Sequence, residues 1–351
     1  MRRIVQFSAG FNEGDAISNY MLILKNRIQE SGLDCEIYSQ NIGIDDKKIC
    51  RKYTHYKPRA GDCILYHHSI HSKILDFIKD QCKSIYKVLV YHNVTPYEYM
   101  LPYDLTLSYY LKKGREELVE YKTFFDKNFA VSNFNKKELE DLGFRDVKFL
   151  PLIISLDDQP LPKNIQEETF QILFVGIIAP NKKQSDLVRL AKILKDYFPL
   201  KFRISMVGKT SREMKLYKEE IENLINYFSV ENEIDLLDFL DRDELKAVYS
   251  RSDLFLCMSE HEGFCVPLIE AMHFGIPIMA YAGGAIPETL DGSGILFREK
   301  KFDLIAAMVF KLATDTMLRN RILQGQSERL DAFKRTDTFR ILKTELGLKD
   351  N

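Results

Sequence analysis

Between residues 254 and 281 the chain is apolar, then polar, then amphipathic, then apolar again. Leu254–Met258 reads as a short buried strand and Ser259 to Gly263 as the loop at its carboxyl end. Pro267 sits where a first helical turn tolerates it, Leu268–Phe274 continues as a helix that stops at Gly275, and Ile276–Tyr281 is a second buried strand. Strand, polar loop, helix, strand is one turn of a parallel α/β sheet, and such sheets bind ligands at the carboxyl ends of their strands. The same alternation recurs. Strands are expected at 3–8, 35–39, 63–66, 85–91, 128–131, 147–152, 170–175, 202–207 and 234–237. Helices are expected at 18–30, 70–78, 104–125, 136–142, 185–196, 241–249 and across 302–346, with Asp241 and Glu244 spaced as a capping box.

With 351 residues the chain is too long for one ordinary core. Pro151, Pro160 and Pro162, with Asp157, Asp158 and Gln159 among them, mark a linker. The expected division is an α/β domain over 1–162, a second over 163–330, and a closing helix over 331–351. A net charge of −1 makes no electrostatic case for nucleic acid. The six cysteines form no Cys-x-x-Cys pair, and several lie in apolar runs, as reduced thiols of a cytoplasmic protein do. No signal-peptide core opens the sequence and no apolar run approaches a membrane span.

Glu262 and Glu270 frame the helix after the 254–258 strand, and the backbone N–H groups of Gly263, Phe264 and Cys265 open its amino end. N–H donors for phosphate beside carboxylates for hydroxyls suit a nucleotide sugar. The Glu-x7-Glu spacing, with Glu-Gly-Phe, Pro-Leu-Ile-Glu-Ala-Met, Gly-Ile-Pro and Gly-Gly-Ala-Ile-Pro-Glu around it, resembles the retaining glycosyltransferases of family 4. That resemblance implies the GT-B architecture, two Rossmann-like α/β/α domains facing across a cleft, with the last helix returning to the first domain. Mere strand–helix alternation fits many folds, so the first domain rests more on the resemblance than the second does.

The resemblance assigns roles residue by residue. Glu262 holds donor-sugar hydroxyls and Glu270 the ribose hydroxyls. In Gly176-Ile177-x4-Lys182 the lysine matches the family's Gly-Arg-x4-Lys clamp on the leaving diphosphate, while Ile177 stands in the arginine position; Lys183, Lys209 and Arg212 are candidates to compensate. His92, in Val-Tyr-His-Asn-Val-Thr-Pro, matches the family histidine beside the donor sugar. Gly14 and Asp15 match a loop that approaches the diphosphate, and they read equally as a turn in which Asp15 or Ser18 caps a helix.

Other motifs exclude more than they suggest. The 9–17 loop is not a dinucleotide fingerprint, and Gly208-Lys209-Thr210 is not a P-loop because Arg203 replaces its first glycine. His67, His68 and His71 cluster, with His67 and His71 on one expected helix face, yet no further ligand completes a zinc site. No Asp-x-Asp stands at a strand end, so neither a metal nor another cofactor is expected. The expected activity is metal-independent transfer of a hexosyl unit from a UDP- or GDP-sugar to a saccharide or lipid-linked acceptor, in surface polysaccharide or glycolipid assembly. Tyr109, Tyr110, Lys112, Lys113 and Arg115 could touch a membrane or a lipid-linked acceptor, but Glu116, Glu117 and Glu120 make a solvated helix the better reading, and any membrane contact would be peripheral. Two alternatives stand beside it: a sugar-nucleotide epimerase of the same shape, and a non-catalytic nucleotide-sugar-binding partner of another transferase.

Overall fold

The computed structural model describes residues 3–43, 48–156, 158–161 and 168–348. The chain forms two compact units: Met1–Glu98 with Thr106–Ser155 and Thr336–Asn351, and Tyr99–Leu105 with Leu156–Arg335. The boundary expected at 162/163 lies outside the described residues, as do Asp157 and Pro162 of the expected linker.

The first unit is built on strands β1 (Arg3–Phe11), β2 (Asp34–Ile42), β3 (Cys50–Lys52), β4 (Asp62–His68), β5 (Tyr86–Tyr91), β6 (Lys127–Ala130) and β7 (Val147–Phe149), with helices α1 (Ala16–Glu30), α2 (Ile74–Gln81), α3 (Leu105–Glu120) and α4 (Asn133–Asp141) between them. The sheet order is β3-β2-β1-β4-β5-β6-β7, and every pairing is parallel. Parallel strands are covered on both faces, so their residues can be apolar without alternation. Ile4, Val5, Ile64, Leu65, Val88 and Leu89 accordingly have no exposure. Each such side chain contributes about 1.5–3 kcal/mol by leaving water.

Two departures from the sequence pattern matter. The short edge strand β3 was not expected. Helix α2 begins at Ile74, not Ile70, and the N–H groups before it bond to other segments: His71 donates to the Tyr110 carbonyl and Lys73 to Gln40 Oε1. His67 is therefore a strand residue and shares no helix face with His71.

The second unit repeats the plan with β8 (Phe170–Val175), β9 (Phe202–Val207), β10 (Ile234–Leu237), β11 (Leu254–Cys257), β12 (Ile278–Tyr281) and β13 (Ile295–Phe297), in the parallel order β10-β9-β8-β11-β12-β13. Its helices are α5 (Gln184–Tyr197), α6 (Lys215–Phe228), α7 (Arg242–Arg251), α8 (Val266–His273), α9 (Ile286–Leu290), α10 (Phe302–Thr314) and α11 (Thr316–Lys334). Helix α6 was not expected, whereas the Asp241–Glu244 capping box of α7 forms with both hydrogen bonds. Helix α12 (Thr338–Glu345) belongs to the first unit, where its Glu345 pairs with Lys127 of β6. The strand order reverses between β8 and β11. In doubly wound sheets the crevice outside that switch point is the ligand site.

Candidate active site

Three loops leave the carboxyl ends of β8, β11 and β12 at this switch point and bond to one another. The Glu260 N–H donates to the Asn181 carbonyl at 2.8 Å, Asn181 Nδ2 to the His261 carbonyl at 3.1 Å, and the Ala285 N–H to the Glu262 carbonyl at 2.9 Å. The third loop can come this close only because it carries glycines. A Cβ on Gly284 would lie 2.3 Å from the Glu262 carbonyl oxygen, and its φ of +56° is one that L side chains rarely adopt.

Lys182 and Glu262 meet across the first two loops. The ammonium donates to Oε1 at 2.7 Å and to Oε2 at 2.8 Å, with the side chains 18% and 8% exposed. Burial alone would lower the lysine's pKa, but the Glu262 carboxylate outweighs it and holds the ammonium above its ordinary value. Beside them, Cys265 occupies the left-handed region (φ 72°, ψ 68°) as the residue capping α8, with Pro267 in the first turn. The N–H groups of Phe264 and Cys265 donate to no acceptor among the described residues, so the amino end of α8 keeps free donors.

One helical turn on, Glu270 Oε2 accepts from Tyr249 Oη at 2.7 Å. Burial raises the Glu270 pKa and the tyrosine hydroxyl opposes that shift. Its Oε1 has no partner among the described residues and can accept from a ligand hydroxyl.

Cys257, placed by its pattern only in an apolar run, also belongs here. Ligand-type atoms of Cys257, Glu262 and Cys265 lie within 4.8 Å of one another, a set that suits a thiophilic cation, but Lys182 engages both Glu262 oxygens. The Cys257 thiol donates to the Ser259 hydroxyl at 3.3 Å, and the neighbouring Cys257 together with burial pushes the Cys265 thiol's pKa up. All six cysteines are buried thiols.

The cations nominated to replace an arginine at 177 differ in availability. Lys183 is paired with Glu260 at 3.2 Å and lies over the Tyr99 ring. Lys209 and Arg212 are exposed, and their side chains have no partner among the described residues. The Ile178 N–H donates to the Lys209 carbonyl at 3.1 Å, which places Lys209 beside Ile177, itself 60% exposed.

In the first unit, Asp15 caps α1: its Oδ2 accepts from the Ser18 N–H at 2.8 Å and from the Ser18 hydroxyl at 2.7 Å. Gly14, at φ 76°, precedes it in an exposed loop. His92 follows β5 and is joined to a buried chain, with His67 Nδ1 to His92 Nε2 at 2.8 Å and His67 Nε2 to Gln6 Oε1 at 3.0 Å. Burial lowers the His92 pKa to about 3, and holds His67 well below its usual range. His68 instead bonds the Gly114 carbonyl and His71 bonds Glu117, so among the described residues the three histidines do not converge on a metal.

Comparison with known proteins accords with this geometry. Residues 157–329 match the family model "Glycosyl transferases group 1". The chain is 28% identical over 164 residues to an uncharacterized glycosyltransferase, MJ1607, of Methanocaldococcus jannaschii, covering 46% of this chain and 40% of that protein. It is 22% identical over 147 residues to O-antigen chain mannosyltransferase B of Escherichia coli, covering 42% and 38%. The chain thus spans about two fifths of the length of these curated relatives. Among solved structures, Anabaena Alr3699/HepE in complex with UDP and glucose superposes with a TM-score of 0.73 at 16% identity, covering 99% of this chain and 100% of that one. At that identity the likeness shows the fold alone: two parallel-sheet α/β units of the GT-B class. The family match falls on the second unit and covers just under half of the chain.

Proposed function

We propose that this protein is a retaining, metal-independent glycosyltransferase that moves a hexosyl unit from a nucleoside diphosphate sugar to a saccharide or lipid-linked saccharide. One observation carries the reading: a buried ammonium–carboxylate pair, Lys182–Glu262, stands beside free N–H groups at the amino end of α8. Breaking a glycosyl–phosphate bond builds negative charge on the diphosphate and positive charge on the sugar ring. Lys182, the Phe264 and Cys265 amides and the unpaired Lys209 stabilise the first; Glu262, relieved of Lys182 as the phosphate draws it away, accepts from sugar hydroxyls. Glu270 Oε1 takes a ribose hydroxyl, Gly14 meets the diphosphate through its backbone, and His92 holds a sugar hydroxyl. Asp15 stays a cap, because a carboxylate would repel the diphosphate. HepE, crystallised with UDP and glucose, and the O-antigen mannosyltransferase are the basis for naming a UDP- or GDP-sugar and a surface-polysaccharide acceptor. No helix among the described residues is long and apolar enough to cross a membrane, and the exposed Tyr109 and Tyr110 would serve peripheral contact.

Thermal unfolding against UDP-, GDP- and ADP-sugars, each with EDTA, tests the donor site. A ligand at one hundred times its Kd adds about 2.7 kcal/mol and raises the midpoint by a few degrees. A shift with one nucleotide sugar, followed by an α-linked product from its α-linked donor, supports the proposal; no shift with any, or loss of activity with EDTA, overturns it. The exposed Ile177 favours a second reading, a non-catalytic nucleotide-sugar-binding partner. Binding without turnover would establish that one, and release of free altered sugar without acceptor would establish an epimerase.

A further inference from the structure

The first unit contains a hydrogen-bonded chain whose direction is fixed at one end. Gln6 Nε2 lies 2.9 Å from the carbonyl oxygen of Met21 in α1. A backbone carbonyl can only accept, so the Gln6 amide must present its N–H₂ there and its Oε1 to His67. His67 Nε2, 3.0 Å from that oxygen, must then carry a proton. A neutral imidazole protonated at Nε2 is bare at Nδ1, and His67 Nδ1 lies 2.8 Å from His92 Nε2. His92 Nε2 is therefore the donor of that bond, and His92 Nδ1 is left with a lone pair and no partner among the described residues.

Nothing nearby reverses the chain. Gln6 is 0% exposed, His67 1% and His92 9%, and no carboxylate among the described residues bonds either ring to favour an imidazolium. Tyr20 packs its ring edge-on against both imidazoles, at 5.8 and 5.7 Å between centroids, which limits their rotation.

We infer that Gln6 and His67 are positioning residues that hold His92 in the Nε2–H tautomer, making its Nδ1 an obligate acceptor that takes a hydroxyl or amine hydrogen and disfavours a phosphate oxygen. A lone pair facing an anionic oxygen is repelled, whereas a sugar hydroxyl can donate to it. The tautomer assignment follows from the bond chain alone; its consequence for turnover rests on the glycosyl-transfer reading.

Long-range proton–nitrogen correlation spectra of the full chain at neutral pH, with His92 assigned by its loss in His92→Asn, read the tautomer directly. The wild type should show His92 Nε2 protonated and Nδ1 unprotonated. Gln6→Leu, which removes the anchor, should average the two His92 nitrogen shifts. A protonated Nδ1 in the wild type, or an unchanged pattern in Gln6→Leu, overturns the inference, and the wild-type spectrum decides even if a variant fails to fold. With UDP-glucose as donor probe, Gln6→Leu should lower kcat about tenfold with KM within about twofold, the size of one lost hydrogen bond. Unchanged kcat in Gln6→Leu would refute the positioning role. If the wild type turns over no nucleotide sugar, the transfer proposal fails and the spectra still judge the relay.

Discussion

Replacing Lys182 by methionine keeps the length of the side chain and removes its charge, leaving the Glu262 carboxylate buried without its partner. Removing one member of a buried ion pair costs about 3–5 kcal/mol. Lys182 is 18% exposed, so water can reach the orphaned carboxylate and the cost should fall at the low end, about 3 kcal/mol. For a unit of this size each kcal/mol moves the midpoint by about 2–4 °C, so calorimetry should find the transition roughly 6–12 °C lower. Glu262→Gln, which strands the ammonium instead, should cost a similar amount. The double variant Lys182→Met/Glu262→Gln strands neither, so its loss should fall short of the sum of the two by about 2 kcal/mol or more. A pH series checks the same pair. The folded pKa of Lys182 lies above the ordinary 10.5, so its contribution is fully present below that value and is lost as pH rises through the folded pKa. Lys182→Arg, which stays charged there, should keep its stability further into alkali. Additive single variants, or an alkaline profile unmoved by arginine, would refute the claim that the pair holds the two loops together.

Three other substitutions test separate parts of the site. Ile177→Arg changes an exposed side chain and should leave stability within about 0.5 kcal/mol, yet tighten UDP binding tenfold or more through a charge-assisted hydrogen bond; unchanged affinity in a calorimetric titration would mean that Lys209 or Arg212 already supplies that contact. Glu270→Gln should weaken nucleotide-sugar binding by about 1–3 kcal/mol while leaving the midpoint equal or higher, because burial already disfavours the carboxylate; intact affinity would end the ribose role. Gly284→Ala places a Cβ 2.3 Å from the Glu262 carbonyl oxygen in a left-handed conformation, and should cost more than the roughly 1–2 kcal/mol of that conformation alone; a midpoint within one degree of wild type would show that the loops do not press together as described.

How much of this could be read from the sequence depended on whether the signal was local. The strand, loop, helix and strand across 254–281 were legible because apolar runs, Pro267 and Gly275 are local devices, and α8 starts and stops within two residues of the expected ends. Helix α6 did carry a local signal, with Tyr217, Ile221, Leu224 and Phe228 at helical spacing, while Leu216 and Tyr227, off that face, are 55% and 80% exposed. His67 and His68 read as lying after the strand, with His67 on a helix face, because they are polar, yet they continue β4 into the core, their ring nitrogens satisfied by Gln6, His92, Tyr66 and the Gly114 carbonyl. Those partners lie up to 61 residues away, and no window along the chain joins them. The position of Cys265 was legible, but its left-handed backbone was not: a cysteine there carries none of the warning a glycine gives.

The site residues themselves divide into a fixed part and a part free to follow charge. Glu262 is held through its own backbone, since the carbonyl accepts from Ala285, and its neighbours Glu260 and His261 bond to Asn181. The Phe264 carbonyl is likewise held by the Thr289 hydroxyl at 2.6 Å. These bonds fix the carboxylate and the α8 amides before any ligand arrives, so aligning them costs little at the moment of reaction. Lys182 reaches Glu262 on a four-carbon stem, and only its Nζ bonds bind it there. A diphosphate entering beside the Phe264 and Cys265 amides can therefore draw the ammonium over by side-chain rotation, without moving a loop. On the proposed glycosyl transfer, that movement would expose the carboxylate oxygens as a sugar hydroxyl arrives and so couple phosphate recognition to sugar recognition. A nucleoside diphosphate without its sugar would then free Glu262 with nothing to fill it, and should bind more weakly than the intact nucleotide sugar.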